Sequence, residues 1–346
     1  MINLHKQFAK LAVAATVSAI ALGGSMSSTL AQEVTLRLHQ FLPAQANVPK
    51  NVLDPWADKI EAESGGRIKI ERYPAMQLGG KPPELIDQMV DGVVDIVWTV
   101  AGYTPGRFPR AEVFELPFTM TDAETMSRAY WKLAEETMMD EDFARFKPLA
   151  LWVHGPGVIH SSKPIVALSD LNGVKLRAPT RVTNKLFSNL GATPIGMPVP
   201  AIPEALSKGV VDATVIPWEV VGALKVNELV KNHTEFPGKA LYTTSFIFGM
   251  NKDKYDSLPD DLKAIIDANS GEEFSAFAGK QMQADDAGPR AAAVEMGNNI
   301  ITLTDEQAAE WEAAAQGTID EWYAEMDAKG IDGKALQARA EALMAN

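Results

Sequence analysis

The chain has 346 residues, 46% hydrophobic and 22% charged, a globular composition with room for two cores. Its net charge of −13 argues against nucleic acid or an anionic membrane surface as a partner, because either requires a basic face. With no cysteine, disulfides, thiol nucleophiles and thiolate metal sites are excluded as well.

The first ten residues hold Lys6 and Lys10 and no acid, and the apolar run LAVAATVSAIALGG follows. Thr29-Leu30-Ala31 then offers small residues for cleavage after Ala31. This pattern predicts a signal peptide over residues 1–31 and an exported protein. VTLRLHQF (34–41) alternates as a strand does, and Phe41 ends it. Residues 50–64 carry Val52, Leu53, Trp56 and Ile60 at helical spacing and stop at Gly65-Gly66. RIKIERYP (67–74) is a second strand. Lys81 lies in the loop after Gln77-Leu78-Gly79. PPELIDQMVDG (82–92) opens on proline and closes on glycine, as a helix does. VVDIVWTV (93–100) is almost continuously apolar and is predicted as a strand covered on both faces, with Trp98 and Thr99 near its end.

Residues 103–119, from Tyr103 onward, read as a loop with three prolines, and 122–139 as a helix. PLALWVHG (148–155) is a strand carrying Trp152 and His154. GVKLRAP (173–179) is a short strand ending on Arg177, and residues 180–191 follow as a helix. ATPIGMPVP (192–200) is predicted to be an extended loop. A short helix, the strand VDATVI (211–216) and then Pro217-Trp218 come next. ALYTTSFIFGMNK (240–252) is predicted as a long strand crossing between lobes, and helices fill the chain from Leu258 onward. Strand and helix alternate in two blocks with no single linker, so the prediction is two α/β lobes around a cleft.

Arg177 is the strongest candidate for chemistry. It sits at the carboxyl end of a strand, where open α/β sheets collect ligands. A permanent cation is rarely buried without a partner, and a guanidinium fits a carboxylate through two parallel hydrogen bonds. By position alone, an ion pair with one of the many acids explains it equally well. Phe41, Trp98, Tyr103, Phe108, Trp152 and Trp218 fall at strand ends or in the loops after them. Together with one arginine they suggest an apolar pocket with one anion anchor. No histidine pair has metal-ligand spacing, no nucleophile–base or phosphate-binding motif occurs, and no cofactor is expected.

Several stretches together resemble one family. They are RIKIERYPAMQLGG, PPELIDQMVDGVVDIV, FELPF, KPIVALSDLNGVKLRAP and LGATPIGMPVPAIPEALSKGVVDATVIP. In order and spacing they are similar to the DctP-type periplasmic solute-binding proteins of TRAP (tripartite ATP-independent periplasmic) transporters. The resemblance implies two α/β lobes joined by crossing strands and a long hinge-spanning helix. It places residues 32–154 with about 244–281 in one lobe, and 155–243 with about 282–346 in the other. It also implies a periplasmic monomer that binds a small organic acid on Arg177 and serves membrane permease subunits.

Three departures from the family bear on the ligand. Pro156 and Gly157 stand where many members have a second arginine, and Val199 follows Met197-Pro198 where many have an aromatic residue. Ile216-Pro217-Trp218 replaces an Asn-containing strand end. A sugar acid would leave hydroxyls unpaired beside such residues, at roughly 1–3 kcal/mol each. An aromatic or otherwise apolar monocarboxylate is therefore expected. The predicted contacts are Arg177, Phe41, Trp98, Thr99, Tyr103, Lys81, Trp152, His154, Met197, Val199, Ile216, Pro217 and Trp218. Lys81 as a second cation keeps a C4-dicarboxylate or sugar acid as the rival, and a secreted enzyme on a similar scaffold is the alternative class.

Overall fold

The computed structural model describes residues 33–345; the predicted signal peptide lies outside them. Among the described residues the first sheet combines β1 (Val34–Gln40), β2 (Ile68–Tyr73), β3 (Ile96–Val100), β4 (Phe146–Val153) and β10 (Ser245–Asn251). Their order is β2-β1-β3-β10-β4, parallel up to β3, with β10 antiparallel to both neighbours. The second sheet holds β5 (Val158–Ser161), β6 (Lys175–Ala178), β7 (Thr193–Gly196), β8 (Ala213–Ile216), β9 (Asn232–Glu235) and β11 (Asn299–Thr302). Its order is β11-β9-β5-β8-β6-β7. Central β3 and β10 are buried at every residue, which matches their largely apolar sequences.

The chain passes between the sheets at residues 154–157, after β4, and again at 236–244, before β10. The two crossings run side by side, with Gly157 N–H donating to the Tyr242 carbonyl at 3.1 Å. A helical connection bridges the lobes too. The helix Glu272–Ala284 packs on helix Ala123–Thr137 and on β4, while Ala287–Glu295 packs on Trp218–Leu224. The spanning helix is thus two segments, broken at Asp285 and Asp286.

Several boundaries differ from the sequence reading. The strand read over 93–100 begins only at Ile96, because residues 91–95 close the preceding helix through Gly92 at φ +73°. Of the stretch 240–252, only Ser245–Asn251 joins a sheet ladder. Residues 193–196 form edge strand β7 instead of a loop. β5, β9 and β11 carry sequences such as NHTE and NIIT, which lack an apolar run. Their polar side chains find partners inside the fold, as with Thr234 Oγ1 donating to the Ile165 carbonyl at 2.6 Å. The terminal helix Gly333–Met344, expected with the second lobe, packs on helix Ala123–Thr137 of the first, and Arg339 pairs with Glu136 at 2.5 Å.

Candidate ligand site

β6 ends where Thr180 caps the next helix, Arg181–Asn189. The Thr180 side chain accepts from Thr183 N–H, and the Thr183 hydroxyl oxygen accepts from Thr180 N–H at 2.9 Å. This reciprocal cap stops the strand and leaves Arg177 at its carboxyl end, in register with Ile195 of β7 and Thr214 of β8. Its guanidinium is fixed by the carbonyls those parallel strands leave at their ends. Nε donates to Met197 O at 2.8 Å and Nη1 to Val215 O at 2.9 Å. Arg177 is only 1% exposed, and Nη2 is buried with no hydrogen-bond partner. Among the described residues no carboxylate pairs with it. Burial pulls its pKa down, and the phenols of Tyr103 and Tyr242 beside it oppose that shift. A buried cation held by two neutral carbonyls is an incomplete arrangement that an anion would complete.

Arg177 borders a narrow cleft between the lobes. The first sheet's side supplies Phe41, Leu42, Trp98, Val100 and Tyr103. The second supplies Pro179, Val199, Val215, Ile216, Pro217, Glu219 and Val220. The crossing segments and the start of β10 add His154, Tyr242, Thr244 and Phe246. One wall is a stack of rings: Phe41 lies on Trp98 with centroids 4.7 Å apart and 15° between planes, and Trp98 on Phe246 at 5.2 Å and 18°. His154 is neutral. Burial lowers its pKa to about 4, its Nδ1–H donates to Gly155 O at 2.5 Å, and Nε2 meets the Thr244 hydroxyl at 2.6 Å.

Side-chain contacts tie the lobes across the cleft. Val199 N–H donates to the Tyr103 hydroxyl at 2.9 Å, and Asn47 Nδ2 to the Glu219 carbonyl at 2.8 Å. Arg181 Nε donates to Glu112 Oε1 at 2.6 Å, and the same guanidinium reaches Glu325 on the helix Asp305–Asp327.

Eight of the predicted residues border the cleft: Arg177, Phe41, Trp98, Tyr103, His154, Val199, Ile216 and Pro217. Met197 enters through its carbonyl on Arg177. Four others lie elsewhere. Thr99 alternates with Trp98 along β3 and faces the other side of the sheet. Trp152 stacks behind Trp98 at 6.1 Å, its Nε1 toward Met282 Sδ at 3.0 Å. The Trp218 ring packs on His160 and His233, with Nε1 donating to Glu235 Oε1 at 2.8 Å. Lys81 is exposed on its loop.

The sequence reading missed Tyr242, Thr244 and Phe246, whose spacing of two along an extended segment was the available signal. It also missed Glu219, which follows Trp218 and carried no pattern of its own.

The structure also explains the absent second arginine. A Cβ added at Gly157 would lie 2.0 Å from Cε1 of Tyr242, a ring that is 1% exposed. The Tyr242 ring fills the space that any side chain at 157 would enter. Among the described residues no group of acidic or histidine side chains has metal-binding arrangement, and no helix is long and apolar enough to cross a membrane.

Two α/β lobes, linked by crossings and closing on a buried, unpaired cation, define a solute-binding protein of the two-lobed class. The chain belongs to the DctP family of bacterial extracellular solute-binding proteins, family 7, whose pattern matches residues 39–326. It is similar to a TRAP solute-binding protein from Rhodoferax ferrireducens T118, solved with copurified benzoate, at 50% identity and a TM-score of 0.89, over 90% of this chain and 98% of that one. A marine metagenome TRAP solute-binding protein specific for aromatic acid ligands, solved with 3-hydroxybenzoate, is 48% identical with a TM-score of 0.89, over 91% and 98%. Among curated sequences, the outer membrane transporter protein TsaT of Comamonas testosteroni is 28% identical over 94% of each chain.

Proposed function

We propose that this chain is a periplasmic, non-catalytic receptor that captures an aromatic monocarboxylate on Arg177 and delivers it to the membrane subunits of a TRAP transporter. One observation carries the reading: Arg177 Nη2 is buried without a partner beside a cleft walled by stacked rings and aliphatic side chains. The ligand carboxylate would accept from that nitrogen, and the ring would lie against Phe41, Trp98 and Phe246. The benzoate and 3-hydroxybenzoate found in the two similar structures support the same ligand class. The rival, a C4-dicarboxylate or sugar acid, requires a second cation or a polar lining. Lys81 lies out on the surface, and Val199, Ile216 and Pro217 ask for no hydrogen bonds from their side chains.

Calorimetry on the purified protein with benzoate, hydroxybenzoates, succinate and a hexuronate tests this. Binding of benzoate-type acids with no response to the other two is expected. Binding of succinate or the hexuronate without any aromatic acid would overturn the ligand assignment and leave the receptor role standing.

A further inference from the structure

The cleft holds an acidic side chain as well as a cation. Glu219, in the first turn of the helix Trp218–Leu224, borders the same cleft as Arg177 and is 3% exposed. Its backbone is fully engaged, N–H donating to Asp286 Oδ1 at 2.8 Å and the carbonyl accepting from Asn47. Its side chain is not: Oε2 is buried with no hydrogen-bond partner. An unpaired polar atom in an apolar pocket is disfavoured unless a ligand meets it. Trp98 Nε1–H is also unpaired there, but an indole only donates.

We propose that Glu219 reads the ring of the bound acid, selecting a hydroxyl substituent remote from the carboxylate held by Arg177. The inference rests on the aromatic-acid reading above. Burial and the neighbouring Asp286 and Asp285 raise the Glu219 carboxyl well above the usual carboxylate range, which favours its protonated form. A neutral carboxyl offers one O–H and one C=O, the complement of a phenolic hydroxyl. It offers no charge to pair with a second carboxylate. The benzoate and 3-hydroxybenzoate of the similar proteins differ by this one group.

The test is calorimetry at pH 7 with benzoate and with the 2-, 3- and 4-hydroxybenzoates, each paired with the methylbenzoate of the same geometry. At ring position 3 or 4 the wild-type protein is expected to favour hydroxyl over methyl by about tenfold or more, and a preference confined to position 2 overturns the proposal. Glu219→Leu should bring that ratio to about one, and Glu219→Gln, which still donates and accepts, should keep a preference for hydroxyl. A wild-type ratio near one at every position overturns the proposal whether or not Glu219→Leu folds. A ratio unchanged in Glu219→Leu overturns it too. If benzoate binds without any hydroxyl preference, only this proposal fails; if no aromatic acid binds the wild-type protein, the aromatic-acid reading fails with it.

Discussion

Arg177 illustrates how one side chain acquires a function from the strand ends around it. Two backbone carbonyls aim the guanidinium and leave Nη2 for an anion. Lysine keeps the charge but loses the planar fork. Arg177→Lys is expected to weaken aromatic-acid binding by roughly 1.5–3 kcal/mol, about ten- to 150-fold, and calorimetry would read it directly. Gly157 acts through space. Alanine there drives a Cβ into the Tyr242 ring, so Gly157→Ala should destabilise the protein by roughly 1–3 kcal/mol in denaturant melts. An unchanged melt would mean that the ring yields freely. Glu115 acts through pH. It is buried, Ser245 donates to its Oε1 from both N–H (3.1 Å) and hydroxyl (2.7 Å), and burial pushes its carboxyl up to about 7 from 4.5. Between those values the unfolded chain has released a proton that the folded chain retains, so this group lowers stability as pH rises through the window. Glu115→Gln abolishes that dependence. The variant should gain on the wild type between pH 4.5 and 7 by up to roughly 3 kcal/mol, and then run parallel to it. Urea titrations across that range check the sign.

At the scale of elements, the joint in the spanning helix does more than connect. Asp286, at the break between its two segments, accepts the N–H of Glu219 and so caps a helix of the second lobe from outside it. Burial pushes the Asp286 carboxyl up to about 7. Gly155, on the first crossing, has Asp286 Oδ2 just 2.3 Å from where its Cβ would be, so joint and crossing pack without a side chain between them. Asp286→Ala removes a cap of about 1 kcal/mol. Amide exchange in 218–224 should rise in that variant, while exchange in β3 and β10 stays slow. Unchanged protection at 218–224 would show that the joint does not hold that helix. The elements that the sequence left unread are also explained at this scale. β9 and β11 carry no apolar alternation, because their polar groups are satisfied by His160, Ile165 and each other's backbone. Such partners are remote in sequence, so no local pattern announces the strand.

For the whole molecule, ligand binding and lobe closure are expected to be coupled. The cleft draws walls from both lobes, and the Tyr103–Val199, Asn47–Glu219 and Arg181–Glu112 contacts span it. An acid at about one hundred times its dissociation constant should therefore stabilise the protein by roughly 2.7 kcal/mol, seen as a rise in Tm. Small-angle scattering should show compaction if the free protein opens; identical radii with and without a saturating ligand would remove lobe motion from the mechanism.

The alternation of strands and helices, the place of Arg177 at the end of a strand and the apolar character of Val199, Ile216 and Pro217 could all be read from the sequence, because each depends on local pattern or on a short run of neighbours. What surrounds the arginine could not. Tyr242, Thr244 and Phe246 reach the cleft from a segment read as plain strand, Trp152 and Trp218 turn away from it, and Lys81 stays in solvent. Which face of an element meets the cleft depends on how two lobes built from interleaved chain segments are set against each other. That arrangement is decided by packing among residues more than a hundred positions apart, such as Glu115 with Ser245 and Asn47 with Glu219, and only the tertiary structure contains it.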